Sequence, residues 1–198
     1  MRVDLETVAG IYVVGGGASL PIVARLLREK FGRRVHRSPY SFAATAIGLA
    51  IAADASSGYE LSDCFTRHFG VWREADAGTR AAFDPIFAKD TPLPPAGSPP
   101  IARVRRYRAR HDVGHFRFLE CSHLEASGTP AGDLMLRHEI LFPFDPALRE
   151  VTSLDRVMVK SVANGPWVEE RYECGPDGIV KLVVTADDGF QKSYCLTG

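Results

Sequence analysis

The chain as a whole carries no surplus of one charge. Lys plus Arg and Asp plus Glu number 24 each among 198 residues, so no global field draws in nucleic acid or an anionic membrane. Long hydrophobic runs are also missing. The longest small apolar stretch, Ala43 to Ala53, falls well short of the roughly 20 residues that a membrane span needs. Cysteine is sparse: Cys64, Cys121, Cys174 and Cys195 are scattered without a C-x-x-C pair, which favours buried thiols over a disulfide frame or a zinc site. The start holds Asp4 and Glu6 and no long apolar run, so the sequence predicts no signal peptide and a cytoplasmic protein. No Ser/His/Asp set or paired-carboxylate arrangement stands out, which leaves a catalytic role without a motif.

What is present begins at the front. Ile11 to Val14 reads as a buried parallel strand, because Val and Ile suit a pleated surface covered on both faces. Gly15, Gly16 and Gly17 follow, where the backbone can turn sharply and approach a ligand without a Cβ in the way. Pro21 then fits a first helical turn, with Ile22, Val23, Leu26, Leu27 and Phe31 at helical spacing. The dinucleotide fingerprint is half met, since Leu20 stands in place of its last glycine, and a Walker lysine is absent. The motif alone fits either a tight βα turn or a nucleotide contact. Arg34 to Arg37 reads as a second short strand, and Ser41 to Ala53 as a small apolar helix in which Gly48 invites close packing.

The remainder alternates. Asp177-Gly178 lies between β-branched runs and predicts a hairpin with a type I′ turn, whose positive φ suits Gly. Ile179, Lys181, Val183 and Thr185 alternate against Val180, Leu182 and Val184. Short strands broken by Pro and Gly at near-regular spacing argue for an antiparallel sandwich. Pro92 to Pro100 holds five prolines and reads as an extended loop.

Taken in order, these segments resemble the DnaK-type heat-shock chaperones. Val14-Gly15-Gly16 with Pro21, followed by Ala46-Ile47-Gly48-Leu49-Ala50, resembles the end of that family's actin-like ATPase lobe. Phe69-Gly70-Val71, Pro85 to Pro94, Val113 to Phe118 and Tyr172 to Thr185 resemble, in the same order, strands of its peptide-binding β-sandwich. The resemblance implies an α+β protein: a carboxy-terminal piece of an actin-like ATPase lobe over 1–57, a linker over 58–68, and a chaperone-type antiparallel β-sandwich over 69–198. Residues Pro143 to Pro166 read as an insertion relative to the family pattern.

The resemblance also implies a function, namely binding of unfolded or extended polypeptide, with Phe69 and Val71 lining the peptide site and Val71 facing a solvated groove. Gly15, Gly16, Gly17 and Ser19 would form a residual adenosine contact, with Ser19 where the family has an arginine. The family's other phosphate loops, which position the groups for phosphoryl transfer, are not in this sequence. The expectation is therefore no enzyme activity, and ATP or ADP binding only in a longer parent protein. Partners are extended polypeptides and the missing amino-terminal ATPase portion. By the same resemblance, Arg73 to Arg80 is the first loop over the peptide, and the third strand and its arch are shortened. Tyr59 to Asp63 stands where the family has a leucine-rich linker.

Two other clusters compete. Arg103, Arg105, Arg106, Arg108 and Arg110 around Tyr107 could bind phosphates and stack bases. On a strand, however, alternation separates Arg103 and Arg105 from Arg106, Arg108 and Arg110, which favours a solvated edge that resists strand pairing. His111, His115, Cys121 and His123 could make a soft-metal site, but His111 and His115 would converge only on a helix and the local pattern is strand, so no metal is expected. The alternative function is a protein or nucleic-acid interaction module that kept the fold and lost the peptide cleft.

Overall fold

The computed structural model describes residues 8–54, 56–59, 62–75 and 79–196. Asp4 and Glu6 lie outside them. The chain divides into two units, Met1–Leu61 and Ser62–Gly198, each with its own architecture.

In the first unit, β1 (Ile11–Val13) pairs in parallel with β2 (Val35–Arg37). Between them a short 3-10 turn, Gly16–Ser19, leads into α1 (Pro21–Phe31), which has Pro at its start and Gly32 at φ 62° just past its end. That is the expected asymmetry, since Pro needs no N–H in the first turn and Gly accepts positive φ. A second helix, α2 (Ala44–Ala53), follows. These elements match the order expected from the sequence, but they cover one another poorly. No residue of α1 or α2 is buried, and Leu26 and Leu49 remain 55% and 62% exposed. Close packing at Gly48 is not found: nothing lies within 4 Å of where a Cβ would stand.

The second unit is a two-sheet antiparallel sandwich. One sheet has the order β4-β3-β6-β7, from β3 (His68–Ala75), β4 (Arg80–Phe87), β6 (Val113–Leu124) and β7 (Pro130–Pro143). The other has the order β10-β9-β8-β5, from β5 (Ile101–Arg108), β8 (Trp167–Cys174), β9 (Val180–Ala186) and β10 (Gln191–Cys195). Phe69, Val71, Phe87, Phe116, Phe118 and Phe142 from the first sheet meet Val168, Tyr172, Val180, Leu182 and Val184 from the second in one buried core. The alternation of β9 follows directly, since Val180, Leu182 and Val184 are fully buried.

Three local expectations change. Arg73, Glu74 and Ala75 continue β3, and Arg80 opens β4, so the first loop is shorter than Arg73 to Arg80. Residues 76–78 of it lie outside those described. The third sandwich strand is not shortened, because β5 runs eight residues; only its connection to β6, residues 109–112, is brief. The β8–β9 hairpin is present, but its turn is not type I′. Gly178 alone has positive φ, 72°, its N–H donates to Gly175 O at 3.1 Å, and Asp177 Oδ1 accepts from Ile179 N–H at 3.0 Å. Pro176 explains this, since its ring fixes φ near −65° and selects a type I turn with Gly in the following bulge position.

The segment read as a linker is in part sandwich. Phe65 stacks on Phe87 with centroids 4.9 Å apart, and Phe65 N–H donates to Thr91 O at 3.0 Å. The span Pro143 to Pro166 connects β7 to β8 through two short 3-10 turns, Pro146–Leu148 and Leu154–Arg156.

Candidate functional site

The end of the sandwich where β3 runs into β4 and β5 runs into β6 is the place where the resemblance puts peptide. Phe69 and Val71 are both 0% exposed and belong to the shared core. The expectation that Val71 faces a solvated groove is therefore not met. Its face of β3 points at the opposite sheet, where Tyr172 and its neighbours fill the space.

Two residues further along the same face, Arg73 anchors a polar network between the sheets. Its Nη1 and Nη2 donate to Glu170 Oε1 and Oε2 at 3.0 and 2.7 Å, and its Nε donates to Asp84 Oδ2 at 2.7 Å. Arg105 on β5 closes the other side of Asp84, with Nε and Nη2 each 2.9 Å from a carboxylate oxygen. The hydroxyls of Tyr107 and Tyr172 donate to the two oxygens of Glu170, and the Arg73 guanidinium lies over the Tyr107 ring at 5.5 Å. Two cations face two carboxylates, so the group is neutral as a set. Bidentate Arg–carboxylate geometry with added hydroxyl donors is what a buried ion pair needs to offset its desolvation.

The electrostatics are consistent with that arrangement. Burial pushes the Tyr107 and Tyr172 phenols above their ordinary values, and the Glu170 charge pushes them further, so both stay protonated as donors. Burial would lower Arg73, but its bonds to Glu170 outweigh this and raise it. Burial would raise Asp84; the bonds from Arg105 and Arg73 outweigh that and hold it below the usual carboxylate range. Glu170 is fully buried, so this carboxylate has no route to a substrate. The network joins the two sheets.

The connection between β5 and β6 is stapled by the chain's own β7–β8 span. Ala109 N–H donates to Pro166 O at 3.0 Å, Val162 N–H to Arg110 O at 2.7 Å, and Asp112 N–H to Lys160 O at 3.0 Å. Asp112, itself buried, accepts from Lys160 N–H at 2.8 Å through Oδ1. His111 reaches back to β3, with Nε2 2.8 Å from Glu74 Oε2. The β5–β6 connection is thus tied to the end of β3 and to the β7–β8 span.

Each arginine of the run has a partner, and for Arg105 and Arg106 that partner is a carboxylate. Arg105 pairs with Asp84, Arg106 Nε donates to Glu169 Oε2 at 2.6 Å, and Arg108 lies over Trp167 at 5.2 Å. Arg103 lies over Phe87 at 5.9 Å, and Arg110 donates to Ala163 O at 3.3 Å. The strand alternation read from the sequence holds, and β5 is an edge strand. Of the proposed metal cluster, His115 pairs with Glu139 at 2.5 Å while His111 pairs with Glu74. Among the described residues no group of three or more His, Cys, Asp or Glu is placed to hold a metal ion.

In the first unit, Gly15 adopts φ 88° and its N–H donates to Ser41 O at 2.6 Å. Ser19 Oγ donates to Gly16 O at 2.7 Å. The turn brings Gly15, Gly16, Gly17 and Ser19 together, and nothing lies within 4 Å of a Cβ built on any of its glycines. No helix among the described residues is long and apolar enough to cross a membrane.

The network residues were accessible to sequence reasoning through parity. Val168, Glu170, Tyr172 and Cys174 alternate onto one face of β8, and an acid in such a series demands a cation opposite. Arg73 shares the parity of Phe69 and Val71, and so offers that cation. A comparison with protein-family models and one with curated proteins each find no match for this chain.

Proposed function

We propose that the chain is a carboxy-terminal, DnaK-type chaperone portion that works by holding polypeptide and not by chemistry. The observation that carries this reading is the eight-stranded, two-sheet sandwich following a strand–glycine turn–helix–strand–helix unit, with the resembling sandwich segments beginning in β3, β4, β6 and β8 in chain order. The uncovered apolar faces of α1 and α2 support a first unit that is completed by a larger ATPase portion, as part of a longer chain or as a partner. ATP or ADP contact at Gly15, Gly16, Gly17 and Ser19 belongs to that larger assembly, where the missing phosphate loops would be supplied.

A second reading has its own support. The buried Val71, the Arg73–Glu170 network and the stapled β5–β6 connection favour a module that kept the sandwich and lost the cleft between the two loops. Binding of a labelled, reduced and carboxymethylated polypeptide, followed by fluorescence polarisation at low and high salt, tests the polypeptide reading. Saturable binding with weak salt dependence supports it. Absence of binding, together with affinity for single-stranded nucleic acid that falls steeply with salt, would replace it with a nucleic-acid module.

A further inference from the structure

A sheet edge offers unpaired backbone N–H and C=O groups to any extended chain, and proteins guard such edges with proline, charge or short strands. Three edges of the sandwich carry such guards. β4 holds Pro85, β5 holds Arg103, Arg105, Arg106 and Arg108, and β10 is only five residues long. The fourth edge, β7, runs 14 residues with proline only at its two ends and no lysine. In its middle, Leu134, Met135 and Leu136 are 56%, 42% and 61% exposed. Leu134 and Leu136 stand beside Cys121 and Leu119 of β6, which are both buried, so the apolar face of the sheet continues to its edge and stops there uncovered.

Two register shifts in the β6–β7 ladder bracket this stretch, one between Phe118 and Leu119 and one between Cys121 and His123. They leave the segment between them regular. Asp133 spends its N–H on Ser122 Oγ at 3.0 Å and its C=O on Arg67 Nη1 at 3.1 Å. Strand alternation then turns the N–H and C=O of Leu134 and Leu136 away from β6, towards the open edge.

The sequence of this segment is self-complementary. Laid antiparallel on a second copy about Met135, Leu134 meets Leu136, Met135 meets Met135, and Asp133 meets Arg137. Both charges have capacity for the contact. The Asp133 side chain is 83% exposed and lies 3.5 Å from Arg67. Arg137 gives Nη2 to Glu120 at 2.8 Å, and its Nε and Nη1 donate to no other described residue. One guanidinium serves two carboxylates elsewhere in this fold, where Arg73 bridges Glu170 and Asp84.

We propose that β7 is a dimer interface, in which two copies of the chain pair antiparallel along residues 133–137 about a two-fold axis at Met135. Their four-stranded sheets then join edge to edge. A two-fold contact uses the same patch on both copies and closes, so the assembly stops at two. This interface goes beyond the polypeptide-holding function and does not depend on it.

Sedimentation velocity of the full chain over a concentration series reads the dimer, and melting curves confirm that each variant is folded. Asp133→Arg sets an arginine against Arg137 at both ends of the pairing, Arg137→Asp sets an aspartate against Asp133, and Met135→Lys sets two lysines on the axis. Like charges directly opposite each other oppose strand pairing, so each variant alone should weaken the wild-type dimer by at least roughly tenfold. An equimolar mixture of Asp133→Arg and Arg137→Asp should recover a dimer, because each arginine of one chain then meets an aspartate of the other. A wild-type chain that stays monomeric throughout the series would overturn the proposal. So would a dimer that Met135→Lys leaves intact, or one that the folded charge variants fail to restore when mixed.

Discussion

The two units use similar amounts of local sequence signal and end in opposite states. In Met1–Leu61 the glycine turn, the leading proline and the helical spacing all produce the elements they specify, yet the described residues buried there are Ala18, Val35 and Ser41. In Ser62–Gly198 seven aromatic residues, Phe69, Phe87, Phe116, Phe118, Phe142, Phe144 and Tyr172, are buried in one core. The difference lies in layers. A two-stranded sheet with two helices cannot cover its own apolar faces, whereas two facing sheets bury one side of every strand. Local pattern therefore forms the elements, and only a second layer turns them into a stable body.

The largest effect expected is at the inter-sheet network. Glu170→Ala leaves the Tyr107 and Tyr172 phenols without their acceptor and Arg73 with Asp84 alone, and should cost about 3–5 kcal/mol, as when one partner of a buried ion pair is removed. Urea unfolding read by tryptophan fluorescence suits this measurement, because Trp72 and Trp167 both lie in sandwich strands. A loss below about 1 kcal/mol would show that the network is solvated and that the sheets are held by the apolar core alone.

Core truncation sharpens the contrast between units. Phe118→Ala removes a fully buried ring that packs 5.9 Å from Phe69 and 6.2 Å from Tyr172, and should cost about 3–5 kcal/mol. Val71→Asp should also unfold the sandwich, because it places an unpaired charge in the same core. Leu26→Ala and Leu49→Ala, on the exposed helices, should change stability by no more than about 0.5 kcal/mol, measured by helical circular dichroism during the same titration. Comparable losses in both units would break the comparison.

Acid provides a graded version of the first experiment. Asp84 is held below its usual value, so it contributes stability that is present above the unfolded carboxylate value of about 3.9. That contribution is lost as pH falls through the lower, folded value. The urea midpoint of the sandwich should fall below about pH 4, and Asp84→Asn should flatten that fall. The smallest effect expected is at the hairpin: Gly178→Ala puts a Cβ at φ 72° and should cost about 1 kcal/mol.

Much of this architecture was legible from residues. The strand and helix of Ile11 to Phe31, the edge-strand alternation of the arginine run and the β9 pattern all follow from local spacing. The site was harder to read, for a physical reason. Whether Val71 faces a groove or a core depends on what stands on the opposite sheet, and those residues, Tyr172 and Glu170, lie about a hundred positions away in sequence. The resemblance places Arg73 in a loop; in the fold it continues β3, where Glu170, Asp84 and Tyr107 make its burial tolerable. The type I turn at Pro176 shows the same limit at short range, since Asp-Gly alone suggests one turn and the preceding proline selects another.

Amide hydrogen exchange of the full chain tests the contrast most directly. Amides in β6, β8 and β9 should exchange only through global unfolding, while those of α1, α2 and β2 should exchange through local opening, faster by roughly two or more orders of magnitude. Equal protection across the two units would contradict the account, because it would mean that residues 8–54 share a stability that their exposed apolar faces do not provide.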